Sequence, residues 1–135
     1  MSLTAIPLMQ IIKGKLDYTN QRERLISENV ANADTPGFAP RDLTGFTVTD
    51  AMKGTQTGGG LRVTNAMHIA GAPSKVSAFK DQAAPDSEAR LDGNQVVLEE
   101  QMSKMTASRI DYEAAVDFYQ QSMNLLQTAA KAPGK

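Results

Sequence analysis

From residue 98 to residue 130 the chain repeats at spacings that alternate four and three: Leu98, Met102, Met105, Arg109, Tyr112, Val116, Tyr119, Met123, Leu126 and Ala130. Nine of these ten residues are apolar, and the run contains no Gly or Pro. Only an α-helix brings positions so spaced onto one side, and a row this narrow is the seam of a coiled coil. The predicted helix covers about 35 residues and, at 1.5 Å per residue, roughly 50 Å. Pro133 and Gly134 close it. A weaker copy of the pattern runs near the other end through Met9, Ile12, Leu16, Thr19, Glu23, Ile26, Val30 and Ala33. Neither stripe is wide enough to hold a helix by itself, so each must pack on the other or on neighbouring chains.

Glycine and proline set the boundaries. Eight of ten Gly and four of six Pro fall between residues 34 and 95. The expected fold is therefore mainly α. Residues 1–33 and 96–135 form two long terminal helices, packed as a coiled-coil-like hairpin that makes one axial domain. The middle segment, 34–95, is Gly/Pro-rich, with short β-strands and partly flexible loops. Residues 61–69 (LRVTNAMHI) alternate and carry β-branched side chains, which predicts a strand. Residues 54–60 and 80–90 read as flexible loops. Asp92-Gly93-Asn94 reads as a turn, with Asn94 or Asp92 as the N-cap of the second helix. Leu, Ile, Val and Phe make up only 27 of 135 residues. A chain so poor in large apolar groups is expected to be elongated, or to complete its core against other molecules.

The same inventory excludes several kinds of chemistry. With 14 basic and 15 acidic residues there is no net field to attract nucleic acid or an anionic membrane. There is no Cys for a disulfide, a thiolate metal site or a nucleophile. The single His68 has no second His or Cys to join it at a metal. Glu99-Glu100 and Asp111/Glu113 belong to the solvated side of an amphipathic helix. Gly58-Gly59-Gly60 lacks the Lys and Ser/Thr of a phosphate loop and reads as a hinge. No catalytic, cofactor-binding or metal-ligating residue is predicted. The apolar run 3–12 precedes Lys13 and Lys15, which is the reverse of a secretory signal, and it is too short to span a bilayer. Any export is expected to use a route that removes no such signal.

The most informative local run is residues 29–38, NVANADTPGF. Pro36 disfavours helical geometry at Thr35, so the first helix should stop near Ala33 or Asp34. Pro36 and Gly37 occupy the central positions of a type II turn from Thr35 to Phe38, with Gly37 supplying the positive φ. Asn32 either adopts the left-handed conformation or bonds the carbonyls freed at the helix end. Asn29 and Asn32 lie on one face. They are either ordinary helix-end amides, the reading that spacing favours, or buried contacts that fix register between helices or subunits.

The run NVANADTPGF after an amphipathic helix resembles the signature shared by bacterial flagellar rod and hook proteins. Arg41-Asp42 shortly after the turn, Thr64 to His68 (TNAMH) and residues 92–102 (DGNQVVLEEQM) extend the resemblance over nearly the whole chain, towards a subunit of the proximal rod. In that family the signature and turn residues are Asn29, Asn32, Asp34, Thr35, Pro36, Gly37 and Phe38. The resemblance implies a non-enzymatic subunit of the flagellar basal body, in the periplasmic rod, exported unprocessed by a type III apparatus and needing no cofactor. Its terminal helices would assemble around a channel, through the seam Met9, Ile12, Leu16, Ile26, Val30, Leu98, Met102, Met105, Tyr112, Val116, Tyr119, Met123 and Leu126. The implied partners are other copies of itself, the rod subunits FlgC and FlgF, the export-gate adaptor FliE and the membrane-ring protein FliF, with no nucleic acid and no small-molecule substrate. The principal alternative is a soluble helical-hairpin adaptor or effector secreted by a type III system; a small hydrolase using His68 ranks last.

Overall fold

A computed structural model of the chain describes residues 7–53, 56–57, 75–76 and 79–131. In chain order the elements are α1 (Pro7–Ala31), β1 (Arg41–Leu43), α2 (Val48–Lys53), β2 (Gln56–Thr57), β3 (Lys75–Val76), β4 (Asp81–Ala83) and α3 (Leu98–Ala130). The molecule is mainly helical and built on a hairpin of two long helices. α1 and α3 run antiparallel: Asn29 meets Gln101, Thr19 meets Ser108 and Lys15 meets Asp111. The predicted strand at 61–69, the glycine hinge at 58–60 and His68 lie outside the described residues.

Both loops expected to be flexible contain paired strands. Gln56–Thr57 pairs antiparallel with Lys75–Val76, and Asp81–Ala83 pairs antiparallel with β1, Arg41 opposite Ala83 and Leu43 opposite Asp81. Residues 81–83 have no alternating apolar side chains to announce a strand, and all are exposed. Backbone ladder bonds and a cross-strand Arg41–Asp81 ion pair hold them instead.

The core is thin and threads between the helices: Met9, Ile12, Tyr18, Ile26, Leu43, Ala51, Val96 and Ala115 are buried. Beside it, Tyr18, Phe46 and Phe79 meet edge-on and tilted, with centroids 5.2–6.2 Å apart. The Lys15 ammonium stands 5.3–5.4 Å from the Phe46 and Tyr18 rings and also reaches Asp111 at 2.7 Å. Burial pushes the Tyr18 phenol above its ordinary value. Arg22 forks onto Asp42 at 2.9 and 2.8 Å, anchoring β1 to α1, and that bond raises the guanidinium further.

At Gly14, α1 and α2 approach closely. A Cβ there would lie 2.5 Å from Ala51 Cβ and 2.8 Å from Ala51 Cα on α2. In an exposed helix Gly→Ala gains about 1 kcal/mol. Here Gly14→Ala must displace the α2 backbone, so the variant is expected to lose about 1–2 kcal/mol instead, read as a lower urea midpoint. A gain would show that α2 does not sit against α1.

Candidate functional site

At the closed end of the hairpin, backbone groups freed by chain reversal are taken up by side-chain amides. α1 ends at Ala31, slightly before the expected stop. Asn32 then bonds the freed Glu28 carbonyl through Nδ2 (2.8 Å) and accepts the Thr35 hydroxyl on Oδ1 (3.1 Å). Phe38 N–H closes on Thr35 C=O at 3.2 Å, and Gly37 takes φ +70°. A second turn lies against the first. Gly93 has φ +82° and donates to Arg90 C=O at 2.9 Å, while Gly37 N–H donates to Asp92 C=O at 3.0 Å. Asn94, fully buried, joins them: its Nδ2 donates to Asn32 C=O (2.9 Å) and Thr35 C=O (2.7 Å), and its Oδ1 accepts Val96 N–H (2.8 Å). A Cβ on Gly93 would stand 3.4 Å from Gly37 Cα. Gly93→Val therefore combines a disfavoured φ with crowding, and a loss of about 2–3 kcal/mol is expected in chemical denaturation, with Gly93→Asn losing less because Asn tolerates the left-handed region.

The two signature asparagines divide the two readings between them. Asn32 is the helix-end amide. Asn29 is 2% exposed and acts at a distance. Its Nδ2 donates to Arg41 C=O (2.8 Å) and to Gln101 Oε1 (3.0 Å), and its Oδ1 accepts Arg41 N–H (3.0 Å). The amide thus pairs with both main-chain groups of Arg41 on the side of β1 away from β4, as a third strand would, and links α1 to α3. Asp34, Thr35, Pro36 and Gly37 are exposed and Phe38 half-buried. The Asp34 carboxylate pairs with Arg90 at 3.1 Å but is 96% exposed, so it contributes little.

Asn94 and Asp92 do not cap α3. The capping position is Val97, with no side-chain cap of its own. Its N–H is taken by Asp86 Oδ2 (2.9 Å), which also accepts Gln101 Nε2 (2.8 Å), while Asp86 Oδ1 accepts Lys104 Nζ (2.6 Å). The Asp86 side chain is fully buried. Burial alone raises its carboxyl, but the bonds from Lys104, Gln101 and Val97 outweigh this and hold it below the ordinary carboxylate value. Glu99 and Glu100 occupy the first turn of α3, where the helix dipole favours them, and Glu100 accepts the Ser87 hydroxyl.

The predicted seam is treated differently on the two helices. On α1, Met9, Ile12 and Ile26 are buried, with Leu16 and Val30 half-buried. On α3, the residues buried against α1 are Gln101, Ser108 and Ala115. These precede Met102, Arg109 and Val116 by one residue, so that row is turned away by about 100°. Leu98, Met102, Tyr112 and Tyr119 are exposed, Met102 by 66%. Met105, Val116, Met123 and Leu126 are half-buried. Small side chains at 108 and 115 admit the close approach, and Gln101 is satisfied by Asn29 and Asp86. The heptad Gln101–Ser108–Ala115 was the available signal for this contact. It is hidden because an apolar row is weighted above a polar one.

Among the described residues no three His, Asp or Glu side chains converge so as to hold a metal ion. The site's chemistry is hydrogen bonding at the closed end and an uncovered apolar row along α3. No protein-family model matches the chain. Curated relatives do. The chain is 30% identical over 119 residues to the flagellar basal body rod protein FlgB of Aeromonas hydrophila, covering 86% of each. To FlgB of Proteus mirabilis it is 31% identical over 108 residues, 76% of this chain and 78% of the relative. To FlgB of Aquifex aeolicus it is 25% identical over 126 residues, 91% and 92%. A rod subunit must present surface that only its neighbours cover, and such a surface is found on α3; together with these relatives it follows that the chain belongs to the FlgB family of flagellar basal body rod proteins.

Proposed function

We propose that this structural rod subunit works by packing, without catalysis, and that the outward row of α3 is the face by which copies hold each other and their neighbours. The two long helices act as one axial unit, and the segment 34–95 braces it. In this reading the protein forms the proximal part of the rod in the periplasm, reached by type III export without a cleaved signal, and joins the membrane ring and export gate to the drive shaft. The partners are further copies, the rod subunits FlgC and FlgF, the adaptor FliE and the ring protein FliF. The relatives lend no support to an adaptor or effector.

One observation carries the reading: Leu98, Met102, Tyr112 and Tyr119 repeat along α3 and remain exposed in the folded hairpin. An exposed apolar row at coiled-coil spacing is a site for another helix. Met102→Asp tests it. At an exposed position the change should leave the monomer's stability within about 0.5 kcal/mol. In the assembled rod a buried, unpaired carboxylate costs several kcal/mol, so incorporation and motility should be lost. Full motility with Met102→Asp and Tyr119→Asp combined would overturn the assignment.

A further inference from the structure

Three of the ten residues in the apolar row of α3 are methionines: Met102, Met105 and Met123. Met102 is 66% exposed, while Met105 and Met123 are half-buried. Met9, in the core between the helices, is only 5% exposed. Among the described side chains, Met102 therefore offers its sulfur to solvent most openly. The chain has no Cys and no Trp. A two-electron oxidant such as hydrogen peroxide thus meets thioether sulfur before any softer group, and exposure decides which one reacts first.

We infer that Met102 is a reversible oxidation site whose sulfoxide closes the α3 face to other copies, a regulation of that face which rests on the assembly reading above. A lone pair on Met102 Sδ attacks one oxygen of hydrogen peroxide, and the O–O bond breaks. Sulfur gives up two electrons and becomes S=O. The proton on the transferred oxygen passes to the departing one, which leaves as water, so no net proton is released. For the return, two thiols become a disulfide and the sulfoxide oxygen leaves as water. The chain has no thiol, so a sulfoxide reductase must supply both. The effect on packing follows from the neighbours of Met102. A helical side chain meets those three and four residues away, here Leu98, Glu99, Met105 and Thr106. Leu98 and Met105 have no donor for a sulfoxide, and the Glu99 carboxylate only accepts. The Thr106 hydroxyl is already given to Met102 C=O at 3.0 Å. On the free subunit water satisfies the new oxygen. Covered by a second copy, that oxygen loses its water and finds no donor on its own helix, and an unpartnered buried acceptor opposes association. Oxidation therefore leaves the fold intact and blocks assembly, and it acts on subunits that are not yet in place.

The test treats the full-length chain with hydrogen peroxide under native conditions and follows each methionine by peptide mass. The Met102 peptide should gain one oxygen about tenfold faster than the Met9 peptide, or more. Association of the oxidised protein, read from concentration-dependent sedimentation, should weaken by about tenfold or more with an unchanged thermal melt. Methionine sulfoxide reductases A and B with dithiothreitol should restore it. Met102→Leu, whatever its own starting association, should not respond to peroxide, although Met105 and Met123 remain. Unchanged association of a chain fully oxidised at Met102 overturns the proposal, and so does an equal peroxide response in Met102→Leu. Oxidation of Met9 as fast as Met102 overturns it too, since exposure then does not select the site. If the untreated chain associates and the oxidised chain does so equally, only the oxidation site fails. If the untreated chain stays monomeric at every concentration, self-assembly fails and takes this proposal with it.

Discussion

Asn29→Leu should lower the stability of the folded chain by about 3–5 kcal/mol, a large part of what a domain of this size has. The substitution preserves bulk but removes three hydrogen bonds: two to Arg41 and one to Gln101. What remains is worse than nothing, because each buried group left without a partner costs about 1–3 kcal/mol. Denaturation in urea measures the loss. Asn32→Ala, a change at the neighbouring signature amide, should cost only about 1 kcal/mol, since its bonds to Glu28 and Thr35 are exposed. Equal losses at the two positions would show that Asn29 is not the link between β1 and α3.

Asp86→Asn is expected to cost about 3 kcal/mol at neutral pH, by leaving the Lys104 ammonium without its charged partner and weakening the support of the Val97 N–H. The effect carries a pH signature. The Asp86 carboxyl is held below its ordinary value of 3.8 in the folded chain, so the folded state takes up this proton less readily than the unfolded state. The stabilisation is therefore complete above that value and drains away as pH falls from it through the lower folded-state value. Thermal melts of the wild type and of Asp86→Asn should lie well apart at pH 7 and converge as the medium is acidified past the lowered folded-state value of this carboxyl. A gap that is constant, or that widens on acidification, would mean that the carboxylate charge is not what holds α3 to the 84–97 segment.

Periodicity and punctuation made the hairpin legible, because a seam of nine apolar residues in ten has one geometric solution and Gly and Pro mark its limits. The turn at Thr35–Phe38 was legible for the same reason: Gly37 is the residue that a positive φ selects. The partners of the polar side chains were not legible. Asn29 and Asn32 look alike in sequence, and only the arrival of β1 and of Gln101 makes one of them central. Asp86 lies 11 residues from the N–H it receives and 18 from Lys104, in a stretch whose composition reads as solvated loop. β4 was hidden because its pairing uses backbone groups that every residue possesses. The face of α3 turned toward α1 was not legible either: apolar rows show where grease lies, not which copy covers it.

Directional bonds also determine how the hairpin can fail. An oily contact between two cylinders lets one slide past the other at little cost, since one methyl group is as good a neighbour as the next. The amide of Asn29 and the carboxylate of Asp86 allow no such slippage: a shift of α3 by a single residue would break their bonds to Gln101, Val97 and Lys104 together. Loaded lengthwise, the two helices would keep their register and bear the shear as one rod until that end gave way all at once.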